Sequence, residues 1–224
     1  MDAPLLLFAK TVVEASALTT FSNWYDQHLP RRMQARGFLS CTRFERVGNP
    51  CEIVALYLIE NKSFLEQLLS EDIAARDPAL IEAIKHPSPE GITSITTGVY
   101  AFSSIHPKES AFMESDGALF IEMWDWKNPT DAAALDKSYD KMYLEHLLEY
   151  PDHTAAFRLK RFDDPIVEYT NRAPLNLSII ESPIQTPLDQ IIEMPLRPDK
   201  MPLFQERKTG LYRPVSKYWR GQRA

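Results

Sequence analysis

The sequence has few glycines, few cysteines and no long apolar run. None of its seven glycines forms a phosphate-binding pattern such as GxGxxG, so no nucleotide-binding motif is present. Its two cysteines, Cys41 and Cys51, have no partner at metal-ligand spacing, which predicts free thiols and no metal site. No apolar stretch reaches the roughly 20 residues that a membrane span needs. The start "MDAPLLLFAK" lacks the features of a signal peptide, so we expect a cytoplasmic chain without a membrane partner.

The charge of the chain is acidic and unevenly distributed. A net charge of −6 argues against nucleic acid as a partner, because phosphate-binding surfaces carry a basic excess. The basic residues concentrate in the last part of the chain, residues 203–224. This segment also has the pattern of a final β-strand, so we interpret it as part of the fold.

The two halves of the chain resemble each other. The segment "HLPRRMQARGFLSCTRF" (28–44) matches "HLLEYPDHTAAFRLKRF" (146–162): both begin with His-Leu and both end with Arg-Phe. In this alignment of the two segments, Arg161 corresponds to Arg43. Further along each half, "TGVY" (97–100) returns as "TGLY" (209–212). Matches that occur in the same order predict a tandem duplication.

Each half has the pattern strand, helix, strand, strand, helix, strand. This order is typical of the ferredoxin-like βαββαβ unit, in which helices cover one face of an antiparallel sheet. We therefore predict an α+β protein with two such units, residues 1–112 and 113–224. Because the other face of each sheet has no helices to cover it, we predict that the two units pack together and close into an α/β barrel within the chain.

One segment of the first half carries a family resemblance. The sequence "FSNWYDQHLPRRM" (21–33), followed by Gly37-Phe38 and by Arg43-Phe44 on a strand, resembles EthD-like proteins of the dimeric α/β-barrel superfamily. The resemblance implies a ferredoxin-like fold, a pocket between helix and sheet, and a helix histidine that transfers protons. Members of that superfamily include muconolactone-type isomerases, polyketide cyclases, anthrone decarboxylases and cofactor-independent monooxygenases, so it implies a fold more strongly than a reaction.

The first helix supplies the candidate site. Helical spacing places five residues on one inward stripe: Leu18, Phe21, Tyr25, His28 and Arg32. An imidazole there suits acid/base catalysis, although it is equally consistent with a core histidine that is hydrogen-bonded to a neighbour. Pro30 predicts a kink or a restart of the helix beside His28.

The other candidate residues surround this histidine. In the functional interpretation, Arg43 or Tyr57 stabilises a developing oxyanion while His28 transfers the proton. The predicted substrate-binding residues of both halves are aromatic or imidazole side chains: Phe21, Trp24, Tyr25, Tyr143 and His146.

These patterns favour a cofactor-free enzyme that acts by proton transfer on a small hydrophobic substrate, aromatic or polyketide-like. Isomerisation, cyclisation, decarboxylation and elimination all fit. The alternatives are a non-catalytic binding or assembly module and a cofactor-independent monooxygenase. The sequence leaves open the substrate, the use of the second pocket and the formation of a homodimer.

Overall fold

The computed structural model describes residues 3–70, 78, 81–82, 88–106, 117–128, 130, 132–139, 154–167, 173–182 and 204–219. The chain divides into two units. Unit 1 comprises residues 1–101, 162–173 and 214–224, and unit 2 comprises residues 102–161 and 174–213. The predicted boundary at residue 112 lies outside the described residues and stays a prediction. No helix within the described ranges is long and apolar enough to cross a membrane.

Unit 1 contains the predicted βαββαβ order. Its elements are β1 (Leu5–Val13), α1 (Leu18–Gln34), β2 (Phe38–Arg46), β3 (Asn49–Ile59), α2 (Lys62–Leu69) and β4 (Ile92–His106), with a short 3-10 turn (Ala15–Ala17) before α1. Strand β3 pairs antiparallel with β1 and β2, and β1 pairs antiparallel with β4. The strand order is therefore β2-β3-β1-β4, with α1 packed against the sheet.

Local chemistry explains where these elements begin and end. Helix α2 begins after Asn61, whose side chain accepts a hydrogen bond from the backbone N–H of Phe64 at 2.9 Å. The β2–β3 hairpin turns at Gly48, which adopts a φ of 78° that favours glycine. Helix α1 continues through Pro30, so the predicted restart does not occur. The proline nevertheless provides no N–H for the carbonyl of Asp26, one turn earlier.

Unit 2 has the same kinds of element. They are β5 (Ala118–Trp126), α3 (Ala132–Tyr139), β6 (Ala155–Arg161), β7 (Asn176–Ser182) and β8 (Phe204–Trp219), of which β8 continues into the residues assigned to unit 1. Strand β7 pairs antiparallel with β5 and β6, and β5 pairs antiparallel with β8. The strand order β6-β7-β5-β8 repeats that of unit 1. The second helix that the repeated element order predicts for this half is not among the described residues.

The repeated TG-x-Y motif provides a starting point for comparing the registers of the two sheets. In unit 1, Thr97 of this motif lies opposite Ala9. Ala9 lies opposite Ala55 on the next strand, and Ala55 lies opposite Arg43. Three steps across the sheet therefore lead from the motif to the buried arginine of β2.

The same three steps in unit 2 lead to a different arginine from the one predicted. Thr209 lies opposite Glu122, Glu122 lies opposite Ser178, and Ser178 lies opposite Arg158. The structural counterpart of Arg43 is thus Arg158, three residues before the Arg161 of the sequence match. We correct the match accordingly, because strand pairing fixes the register and a two-residue identity does not.

The motif glycines also have the same environment in both units. A Cβ atom added to Gly98 would lie 2.8 Å from Cε2 of the Tyr100 ring, and one added to Gly210 would lie 2.6 Å from the same atom of Tyr212. In each unit the tyrosine ring covers the glycine two residues before it. Glycine is therefore required at both positions by close packing rather than by backbone angle.

Candidate functional site

Helix α1 holds His28 against the sheet of unit 1. The imidazole is 4% exposed and stacks on the indole of Trp24, with ring centroids 4.2 Å apart and planes inclined by 19°. Tyr25 meets the imidazole edge-on at 5.9 Å. The helical stripe read from the sequence therefore predicts the direction of His28 correctly.

Arg32 lies one turn after His28 on the same helix. Its Nε–H donates to Nε2 of His28 at 3.2 Å, so Nε2 acts as a hydrogen-bond acceptor in this arrangement. The sequence pattern places Arg32 on the same helix stripe as His28, four residues further along, but assigns it no functional role.

Two buried tyrosines lie beside this pair. The hydroxyl of Tyr25, on α1, is hydrogen-bonded to those of Tyr57, on β3, and of Thr11, on β1. Burial raises the pKa of Tyr25, and it raises the pKa of Tyr57 strongly. Both side chains therefore stay protonated phenols near neutral pH, and a protonated phenol can donate a hydrogen bond to an oxyanion.

Arg43 reaches the same helix from β2. The side chain is 3% exposed, donates from Nη1 to the carbonyl of Ser22 at 3.0 Å, and places Nη2 3.4 Å from Oδ1 of Asp26. Its guanidinium lies 5.7 Å from the centroid of the Tyr25 ring. The Nε atom is buried and has no hydrogen-bond partner among the residues that the structure describes. Asp26 is 54% exposed, so the charge of Arg43 is balanced by a carboxylate at the surface.

The three aromatic residues of α1 that were predicted to bind substrate pack against one another. Phe21 lies 5.7 Å from Trp24 and 5.0 Å from Tyr25, measured between ring centroids. Phe21 and Tyr25 are buried, whereas Trp24 and Arg32 are half-buried. Of these four side chains, Trp24 and Arg32 are therefore the ones that solvent reaches.

Neither cysteine has the properties of a nucleophile or a metal ligand. Both Cys41 and Cys51 are free thiols, as predicted. Burial raises the pKa of the Cys41 thiol far above its ordinary value, which disfavours the reactive thiolate. Within the described residues, no group of three or more potential ligands could hold a metal ion.

Unit 2 buries a carboxylate in the middle of its first strand. Glu122 is fully buried and accepts a hydrogen bond from the Tyr139 hydroxyl at 2.6 Å, and its other oxygen pairs with Arg207. The sequence assigned no role to this residue. A single acid in the apolar run "LFIEMW" is the signal for a buried and paired carboxylate.

Unit 2 also buries the counterpart of Arg43. Arg158 is fully buried and donates from Nη2 to Asp136 and to Asn176, each at 2.7 Å. Its guanidinium lies 4.4 Å from the Trp124 ring and 5.2 Å from the Tyr139 ring. Side chains of unit 2 itself thus surround this arginine on several sides.

Two predicted residues are not part of this description. His146 and Tyr143 lie outside the described residues, and their role as substrate-binding counterparts stays a prediction. The ring that lies over Arg158 belongs to Tyr139, just as that of Tyr25 lies over Arg43.

No family model matches the chain, and no curated protein matches it. Solved structures do match. An anthrone oxidase-like protein is similar with a TM-score of 0.66 at 12% identity, covering 99% of this chain and 95% of that one. A "putative monooxygenase" from Fusobacterium nucleatum gives 0.63 at 9% identity, covering 98% and 96%. Another "putative monooxygenase", from Lactobacillus acidophilus, gives 0.59 at 10% identity, covering 98% of each chain. These likenesses support a ferredoxin-like fold.

Proposed function

We propose that the chain is a cofactor-free enzyme that uses His28 as acid and base on a small hydrophobic substrate, aromatic or polyketide-like. The observation that carries the proposal is the buried His28 imidazole, which stacks on Trp24 and accepts a hydrogen bond at Nε2 from Arg32. Two phenol hydroxyls and a buried arginine lie against the same helix and sheet. This is a set of groups that can take a proton and stabilise the negative charge left behind.

The proposed step begins with a weakly acidic C–H or O–H of the substrate. Its proton moves to Nε2 of His28, which requires Arg32 to release that nitrogen. The electron pair is delocalised onto a substrate oxygen, where Arg32 and the O–H of Tyr57 stabilise it. Return of the proton to another carbon completes an isomerisation, whereas departure of a leaving group with the electron pair completes an elimination. In a decarboxylation the proton comes from the carboxylic acid O–H, carbon dioxide leaves, and His28 returns the proton to the carbon that carried the carboxyl group.

Proton exchange tests this step before the net reaction is known. Anthrone has an acidic methylene, and its exchange for deuterium in D2O can be followed by NMR. We expect the wild-type chain to accelerate exchange and His28→Ala to lose about a hundredfold or more of that acceleration, the usual size of an acid/base contribution. His106→Gln, which changes a histidine at the end of β4, is the matched control and retains it. Unchanged exchange in folded His28→Ala contradicts the proposal.

A monooxygenase is the second candidate, favoured by the names of the similar structures. In that case the carbanion formed at His28 reduces dioxygen: a methylene and O2 give a ketone and water. The first step is unchanged and only the electron acceptor differs. Turnover that stops without oxygen while deuterium exchange continues identifies this candidate. If the chain is a non-catalytic module, it accelerates neither deuterium exchange nor oxygen-dependent turnover.

The finer structural assignments belong to the same proposal. Membership of the EthD-like proteins is supported by the helix segment around His28, and tandem duplication is supported by the repeated register. Closure of the strands into one barrel within the chain remains a prediction from the sequence pattern.

A further inference from the structure

We infer that the Arg43 site of unit 1 binds the carboxylate of an aromatic ligand, in the role that Asp136 fills for Arg158 in unit 2. The inference deepens the proposed function, since it names the chemical class of the substrate, and it rests on that function for the identification of the site. Its binding test is nevertheless independent of turnover.

The first step is that the two arginines are equivalent. Three register steps from the TG-x-Y motif reach Arg43 in one unit and Arg158 in the other. Each guanidinium lies near the ring of a helix tyrosine, Tyr25 at 5.7 Å and Tyr139 at 5.2 Å. The residue three positions before each tyrosine contacts the arginine as well.

The second step is that this last contact differs between the units. In unit 2 it is the carboxylate of Asp136, 2.7 Å from Nη2 of Arg158. In unit 1 it is the backbone carbonyl of Ser22, 3.0 Å from Nη1 of Arg43. The serine side chain brings no negative charge, so unit 1 lacks the carboxylate that its counterpart supplies from the same helix position.

The third step is that Arg43 retains unused binding capacity. Its Nε is buried without a hydrogen-bond partner in the described part of the chain. Its ion pair to Asp26 spans 3.4 Å and ends at an exposed side chain. A buried cation is costly unless it is closely paired, so a ligand carboxylate that approaches Arg43 gains both hydrogen bonds and charge compensation.

The fourth step is the rest of the ligand. Phe21, Trp24 and Tyr25 pack around the helix segment that carries Arg43's partners. Trp24 is the half-buried member of this group. A ligand with a carboxylate attached to a flat ring matches a guanidinium bordered by aromatic side chains.

Benzoate and benzamide test this inference, because they share shape and differ in charge. We expect isothermal titration calorimetry on the full chain to show benzoate binding about tenfold more tightly than benzamide. Arg43→Gln is expected to remove this preference while benzamide binding stays the same. Arg31→Gln, which removes an exposed charge from helix α1, is the matched control and keeps the preference.

Asp26→Asn gives a second and opposite prediction. Asp26 competes with the ligand for Nη2 of Arg43, so its neutralisation is expected to tighten benzoate binding about threefold and to leave benzamide unchanged. The side chain is exposed, so this variant is expected to fold even where Arg43→Gln does not.

Equal binding of benzoate and benzamide, weaker benzoate binding by Asp26→Asn, or no binding of either compound by the wild type overturns the inference. The proposed function fails separately. His28→Ala is expected to bind benzoate as the wild type does, since Arg43 is intact, while it loses deuterium exchange. Charge-selective binding without any exchange refutes only the proposed function, and exchange without charge-selective binding refutes only the inference.

Discussion

The two units bury equivalent arginines and give them different surroundings. Arg158 is paired within its own unit by Asp136 and Asn176 and is enclosed by the rings of Trp124 and Tyr139. Arg43 has a backbone carbonyl and one longer ion pair, which ends at an exposed carboxylate. The same position therefore supports the fold in unit 2, whereas in unit 1 it keeps capacity for a ligand.

This comparison gives the carboxylates of the two units different energetic roles. Asp136 also accepts from the indole of Trp126 at 3.1 Å and pairs with Lys160, so several groups depend on one side chain. Among the ion pairs that the described residues form, Asp26 pairs only with Arg43. Removal of a buried partner leaves a charge without compensation, while loss of an exposed one costs little.

The largest expected effect is therefore the loss of Asp136. Asp136→Asn is expected to lower the free energy of unfolding by about 3–5 kcal/mol, because it breaks a buried ion pair and leaves Arg158 uncompensated. Urea denaturation measures the change. Asp26→Asn is the matched control in unit 1, with an expected change of less than about 1 kcal/mol. Similar losses in the two variants mean that the arginines do not differ as described.

The helix tyrosines provide a second and smaller contrast. Tyr139→Phe removes the donor that lies 2.6 Å from the buried carboxylate of Glu122, and we expect it to cost about 2 kcal/mol, as hydrogen bonds to charged groups do. Tyr25→Phe removes hydrogen bonds to the neutral hydroxyls of Tyr57 and Thr11, with an expected total cost of about 1 kcal/mol. Both values come from chemical denaturation of the full chain. If Tyr25→Phe loses more unfolding free energy than Tyr139→Phe, the stronger polar network lies in unit 1 and not in unit 2.

Much of unit 1 could be predicted from the sequence. Alternating apolar residues and turn signals give its element order, and the stripe of α1 gives the inward direction of His28. Ser16, a residue type that commonly caps helices, is instead hydrogen-bonded to the side chain of Glu14, and Ala17 precedes α1 without a side-chain cap. Such local errors arise because several polar groups compete near one helix start.

The contrast between the arginines could not be predicted in this way. The repeated Arg-Phe pair suggested that Arg161 corresponds to Arg43, but register depends on pairing with distant strands. The pairing of β2 with β3 is irregular between Phe38 and Ser40 and between Glu45 and Arg46. At such places the number of residues along one strand no longer equals the number along its partner. The partners of Arg158 come from α3 and β7, which are adjacent to it only in the folded unit.

The smallest expected effect is a pH dependence that belongs to unit 1. Burial raises the pKa values of Tyr25 and Tyr57 above the ordinary value of 10.0. The unfolded chain therefore loses these protons first, and the free energy of unfolding is expected to fall as the pH rises above about 10. Tyr57→Phe is expected to make this decline shallower, whereas Tyr218→Phe, at a half-buried tyrosine of β8, leaves it unchanged. Denaturation curves across the alkaline range measure the slope. An equal slope in wild type and Tyr57→Phe means that the buried phenol pair is not what couples unit 1 to pH.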